Sequence, residues 1–278
     1  MNDVKRPIPS NRRARVIAVT SGKGGAGKTN VSVNLSVALA RLGRRTMLVD
    51  CDVGLANANI LLGLEAAQGL AEVTQQARGL ADVSRPGPCG MMLVPGHSGI
   101  GMGAGLTGDA RTQLAAAFRP YADDIDDVIV DTGGGLAEEG LSLVAASDLV
   151  LLVVTNEPTS FMDAYATLKA MSVLHGCSRF GIVTNRVRGA ADGRALFDRF
   201  ERIVEQFLPV HLDHLGSIPE DPYLRDAVFA KRCCVEAFPS APASAAFARL
   251  AKCIADLEVP RLPGGNSFFG MEVSHGAY

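Results

Sequence analysis

Residues 22–29, Gly-Lys-Gly-Gly-Ala-Gly-Lys-Thr, have the types and spacing of a phosphate cradle. They fit G-x-x-x-x-G-K-[ST], a pattern that acquires meaning when a strand precedes it and a helix follows. Glycines let the backbone curl until successive N–H groups point at phosphate oxygens. The helix start adds the positive end of its dipole. Lys28 is spaced to reach β- and γ-phosphates, and the Thr29 hydroxyl to ligate Mg²⁺. The candidate nucleotide-binding run is Gly22, Lys23, Gly24, Gly25, Ala26, Gly27, Lys28, Thr29 and Asn30, with Mg²⁺ as the companion of ATP. Lys23 sits early in the loop, where a plain phosphate loop has no fixed need for a lysine. On spacing alone it reads as a solvated surface charge.

Carboxylates are the second group with chemical potential. Asp50 and Asp52 follow an apolar run and lie two apart, so on an extended segment they face the same way. One could hold a water on Mg²⁺ while the other orients or deprotonates an attacking water. Asp131 ends another apolar run and leads into Thr132-Gly133-Gly134-Gly135, like a Walker-B aspartate entering a mobile loop near the γ-phosphate. Thr29, Asp50 and Asp131 are the candidate magnesium set, and Asp52, Lys23 and Lys28 the candidate catalytic set. Taken singly, each carboxylate could equally be a helix cap or turn residue.

These groups need a scaffold that delivers them to one place. Short apolar, β-branched runs occur at 16–19, 46–49, 91–94, 127–130, 149–154, 180–184 and 212–218. Helical spacing predicts helices over 28–42, 109–118, 137–147, 160–174, 192–207, 222–230 and 243–257. Strands alternating with helices imply an α/β fold, doubly wound, with a mostly parallel sheet and helices on both faces. Ligands of such sheets sit at the carboxyl ends of the strands. Ser21, Asp50, Asp52, Asp131, Asn185 and Glu220 all fall at such ends. The organisation expected is a basic tail over 1–14, one phosphate-loop domain over 15–259 and a C-terminal tail over 260–278.

Composition narrows the classes. The 278 residues suit one large α/β domain, and a net charge of −2 gives no global field toward nucleic acid or anionic lipid. No run reaches the roughly 18 apolar residues of a membrane helix, and the N-terminus lacks a signal-like apolar core. A cytoplasmic protein is expected. Six cysteines, none in a C-x-x-C pair, read as reduced thiols.

The run Lys23-Gly24-Gly25-Ala26-Gly27-Lys28-Thr29 resembles the deviant Walker A motif of the MinD/ParA ATPases. The resemblance implies a SIMIBI-type, MinD-like P-loop NTPase that forms an ATP-dependent homodimer, with Lys23 crossing the interface to the partner's nucleotide. That replaces the surface-charge reading. It also implies that Asp52 positions the hydrolytic water and that Asp50 and Asp131 surround the magnesium. Asn185 in Val183-Thr184-Asn185-Arg186, and Pro219, Glu220 and Asp221 in Ile218-Pro219-Glu220-Asp221, match segments flanking adenine. Within the family, Glu157-Pro158-Thr159-Ser160, Asp52-Val53-Gly54-Leu55-Ala56-Asn57 and Glu236-Ala237-Phe238-Pro239 are similar to the FlhG (FleN) subgroup of flagellar-number regulators. That subgroup implies control of flagellar number, placement and gene expression. The implied partners are an FlhF-type GTPase, a flagellar switch protein and a flagellar master transcription activator. Peripheral contact at the inner membrane or cell pole is implied as well.

Departures from the pattern matter. Ala26 replaces the commoner Val of the loop. Gly133-Gly134-Gly135 is richer in glycine than usual, and the N-terminal tail lacks the short motif some members use on their GTPase partner. The C-terminal tail keeps Phe268-Phe269 but has no Lys or Arg after Arg261 and carries Glu272. An interfacial helix needs the opposite, so the tail supports membrane contact only weakly and reads as a small hydrophobic plug. Three other readings compete. One is a ParA-like DNA- or cargo-positioning ATPase or a MinD-like site-selection ATPase; DNA binding would use Arg179, Arg186, Arg188, Arg194, Arg199 and Arg202, but Asp192, Asp198 and Glu201 interleave with them, which argues against it. An iron–sulfur carrier would have only Cys233-Cys234 to offer, at poor spacing. A tyrosine autokinase would need a tyrosine cluster that the tail lacks.

Overall fold

The computed structural model describes residues 13–52, 57–96, 108–135, 138–258 and 267–270. Most of the two tails, and Val53–Ala56 of one matched stretch, lie outside them. Among the described residues eight strands form one sheet: β1 (Arg15–Ser21), β2 (Thr46–Cys51), β3 (Arg85–Pro86), β4 (Met92–Val94), β5 (Asp127–Thr132), β6 (Leu149–Thr155), β7 (Arg179–Val187) and β8 (His211–Pro219). The order is β3-β4-β2-β5-β1-β6-β7-β8. All neighbours are parallel except β3 and β4, so the doubly wound α/β expectation holds.

The helices are α1 (Lys28–Arg41), α2 (Ala58–Leu61), α3 (Leu70–Thr74), α4 (Leu80–Val83), α5 (Gly108–Phe118), α6 (Glu138–Ala145), α7 (Pro158–His175), α8 (Ala190–Glu205), α9 (Pro222–Phe229), α10 (Cys234–Ala237) and α11 (Pro242–Asp256). Strand alternation sorts the core. Ile17 and Val19 of β1 face α1 and α11, with Leu35, Leu39, Phe247 and Leu250. Ala18 faces α7 and α8, with Leu168, Phe197 and Phe200. Both faces of the inner strands are buried, which is why they read as continuous apolar runs rather than alternating ones.

A third cluster joins β2 and β5 to α3 and α5. Phe268 and Phe269 belong to it: Phe269 is fully buried, and the Phe268 ring lies tilted against Phe118, 5.1 Å between centroids. They line a groove of about 500 Å³ that also includes Cys51, Leu143 and Ala146. The aromatic pair is therefore core rather than lipid-ready surface. Burying two aromatic side chains removes a few hundred Å² from water, several kcal/mol at ~25 cal/mol per Å².

Candidate functional site

The parallel sheet aims the carboxyl ends of β1, β2, β5, β6, β7 and β8 at one edge. Register is the mechanism. Asp50 of β2 lies directly beside Asp131 of β5, and Asp131 beside Val19 of β1. Thr155 of β6 lies beside Asn185 of β7. Lys28, Asp50, Asp52 and Asp131 are thereby gathered around the loop that follows β1.

That loop is held at both ends. Gly22 sits so close to α7 that a Cβ there would lie 2.1 Å from backbone atoms of Asp163 and Ala164. Gly27 has φ 93°, a left-handed conformation that starts α1 and suits glycine. Asn185 Nδ2 donates to the Ala26 carbonyl at 2.8 Å, so β7 braces the loop from the side. Lys28 is buried at the first position of α1.

Asp131 is fully buried. Its Oδ1 accepts from Ser32 Oγ at 2.8 Å, whereas Oδ2 has no hydrogen-bond partner among the described residues. The Thr29 side chain, together with Ser32 and Lys28, favours its charged form. Burial first, and then the neighbouring Asp50 carboxylate, push the Asp131 carboxyl up to about 7. Burial likewise raises Asp50 to about 6, against its backbone hydrogen bonds. An orphaned buried carboxylate oxygen beside a second carboxylate and a hydroxyl suits a hard divalent cation. Mg²⁺ takes one or two carboxylates and completes its shell with phosphate oxygens and water. The residues present fit Mg²⁺ accompanied by nucleotide.

The two aspartates at the carboxyl end of β2, Asp50 and Asp52, part company. Asp50 accepts from the Asp52 N–H at 3.2 Å and from the Ala58 N–H at 3.0 Å, fixing the backbone on either side of residues 53–56. Asp52 is half-buried, its carboxyl raised by burial while Lys28 pulls it down. Gly133-Gly134-Gly135 lies across the loop. A Cβ at Gly134 would be 2.9 Å from Lys28 Nζ and 2.9 Å from the Lys23 carbonyl carbon, and one at Gly133 would be 3.6 Å from Asp52 Oδ1. Gly135 donates its N–H to the Ser21 carbonyl at 3.1 Å. At Gly134 a side chain would have to displace the Lys23–Gly24 backbone.

Lys23 Nζ donates to Thr159 Oγ1 at 2.8 Å and lies 3.8 Å from Glu157 Oε2, within its own chain. Beyond the loop, a cleft of about 990 Å³ runs between Gly27, Asn30, Asn185 and Pro219–Asp221, with α9 as one wall. Asn185, Pro219 and Glu220 thus share a cleft with the loop. The Asp221 carboxylate lines it too, but both its oxygens serve backbone amides, of Tyr223 at 2.9 Å and Ala243 at 2.8 Å. Sequence reasoning gave no site role to Ser32, which holds Asp131. Its spacing from Thr29, one helical turn, was the available signal.

Two of the arginines and the adjacent cysteines are otherwise engaged. Arg179 and Arg194 pair with Asp213 and Asp198 at 2.7 Å. Cys233 and Cys234 are buried, and burial pushes the Cys233 thiol up to about 11, far from the thiolate a metal needs. Among the described residues no helix is long and apolar enough to cross a membrane.

A pH response follows from the carboxylates. A carboxyl raised by folding binds its proton more tightly in the folded chain. The stabilisation is complete below the ordinary value near 3.8 and is lost as pH rises through about 7. Each pKa unit of that range crossed between pH 5 and pH 8 costs ~1.4 kcal/mol. The Mg²⁺- and nucleotide-free protein should then melt lower at pH 8 than at pH 5, by about 2–4 °C for each kcal/mol lost. Burial lowers His214, which works in the opposite direction, so the readout is the difference between the parent and Asp131→Asn. Fluorimetric melting should show a shallower decline in the variant; parallel curves would refute the assignment.

Comparison with known proteins places the fold and the chain in a family. The chain is 43% identical over 267 residues to "Antiactivator FleN" of Pseudomonas aeruginosa, covering 96% of this chain and 95% of that one. It is 28% identical over 277 residues to "Flagellum site-determining protein YlxH" of Helicobacter pylori, covering 96% and 93%. The cell division ATPase MinD of Pyrococcus furiosus superposes with TM-score 0.71 at 26% identity, over 87% of this chain and 98% of that one. Residues 17–232 match the family described as CobQ/CobB/MinD/ParA nucleotide binding domain. The chain belongs to that family.

Proposed function

We propose that this protein is an ATP-dependent dimerisation switch that hydrolyses ATP slowly and regulates flagellar number, placement and gene expression through partner proteins. The observation that carries the switch is the position of Gly133-Gly134-Gly135 directly against Lys28. A γ-phosphate entering beside Lys28 must displace or engage that segment, so the two switch loops report whether it is present. The flagellar reading is supported by the near full-length similarity to an antiactivator and to a flagellum site-determining protein. The partners that suit it are an FlhF-type GTPase, a flagellar switch protein and a flagellar master transcription activator.

The chain's own residues divide the work. The loop amides and Lys28 bind phosphate, Asn185 and Pro219–Glu220 border the base, and Asp52 orients the attacking water. Lys23 neutralises phosphate charge on the partner subunit. Thr29, Asp131 and Asp50 would hold Mg²⁺, which, when bound, offsets charge on the phosphate oxygens. Phosphoryl transfer built on positioning and charge neutralisation is slow where either is incomplete, and that suits a timer.

Sedimentation of the parent protein with ATP–Mg²⁺ and with ADP–Mg²⁺ tests the proposal. A dimer with ATP and a monomer with ADP is expected. The same monomer in both would sink it.

A further inference from the structure

We propose that Thr159 and Glu157 form a latch that holds Lys23 on its own chain, and that this latch must open before two subunits associate. The inference rests on the dimerisation switch above and adds a control to it. One ammonium cannot sit on its own α7 and on a partner's phosphates at once. The contact at 2.8 Å to Thr159 Oγ1 therefore competes directly with the reach across an interface.

The latch is built to be weak. Thr159 lies in the first turn of α7, where the helix dipole repels a cation. Glu157, the N-cap residue, supplies the opposing negative charge at 3.8 Å. That carboxylate is shared: its other oxygen faces Arg186 Nη1 at 3.7 Å, and Arg186 holds a left-handed φ of 56° beside the base cleft. Both partners of Lys23 are therefore half-exposed or diverted. Gly22, meanwhile, is wedged against the backbone of Asp163 and Ala164, so the stem of the loop stays in place while the Lys23 side chain turns. Release needs rotation about side-chain bonds and no movement of the cradle.

A half-exposed hydrogen bond with an adjacent ion pair is worth about a fivefold bias per subunit. A dimer opens two latches, so removing them should strengthen association about twenty-five-fold. The test measures dimer fraction against protein concentration by sedimentation, with saturating ATP–Mg²⁺, in the Asp52→Ala background that stalls turnover. Glu157→Gln with Thr159→Val should lower the midpoint concentration about twenty-five-fold, and Glu157→Gln alone should lower it by a smaller factor. The single change preserves shape at an exposed position and decides the matter should the double variant fail to fold. An unchanged or higher midpoint in variants whose parent dimerises overturns the latch alone. A protein with Asp52 intact that stays monomeric with ATP overturns the switch as well.

Discussion

Lys28→Ala should abolish ATP binding. Lys28 is buried at the head of α1, where the left-handed turn at Gly27 and the start of the helix concentrate backbone N–H groups. Its ammonium is the positive charge that Asp52 and Asp131 both sense. Removing it has two consequences of the same sign. A charge-assisted hydrogen bond to phosphate is lost, worth ~1.5–3 kcal/mol. The carboxylates that it offsets then face the incoming triphosphate uncompensated, and like charges in a buried site repel strongly. The two together should weaken affinity at least about a hundredfold, past what calorimetric titration at micromolar protein detects. Measured affinity within tenfold of the parent would show that the backbone amides carry the phosphate alone. The chain should still fold, because Leu35, Leu39 and the rest of the buried face of α1 are untouched.

The parts of this site differ in how openly the sequence displays them. The loop from Gly22 to Thr29 is legible because its chemistry is local: glycine conformations, a lysine and a hydroxyl at fixed offsets. The strands β1, β2, β5 and β6 are legible because burial on both faces leaves uninterrupted Val, Ile and Leu. The short α2, α3, α4 and α10 and the two-residue β3 escaped, because four or five residues carry too little periodicity to register. Sheet register is long-range and invisible in a local window, so the side-by-side placement of Asp50 and Asp131 could only be hoped for from their positions at strand ends. The aromatic pair of the C-terminal tail read as a plug on composition, and its seat against Phe118 depends on an α5 groove that no local pattern encodes. Asp221 shows the converse case. It lies in a stretch matched to adenine contacts, yet its carboxylate serves the N-terminus of α9 and the Ala243 amide.

Asp52→Ala should leave ATP binding within about threefold of the parent, while turnover falls ~10²–10⁴-fold, the usual contribution of a positioned base. The expectation turns on the division of labour between the two aspartates. Asp50 ties down the backbone at Asp52 and Ala58, so Asp50→Ala would free the segment and damage binding and turnover together. Asp52 makes no such tie among the described residues. It stands half-buried beside Lys28 with Gly133 at its carboxylate, placed to act on a water rather than on the fold. Its loss should therefore uncouple the two halves of the cycle. ATP would still press Gly134 away from Lys28 and bring subunits together, but nothing would return the switches to the ADP arrangement. The variant should accumulate as an ATP-bound dimer that dissociates only as fast as nucleotide exchanges, read out by sedimentation and by phosphate release on the same sample. Parental phosphate release would remove Asp52 from water positioning. Lost turnover in a protein that remains monomeric would instead place Asp52 in assembly rather than in hydrolysis.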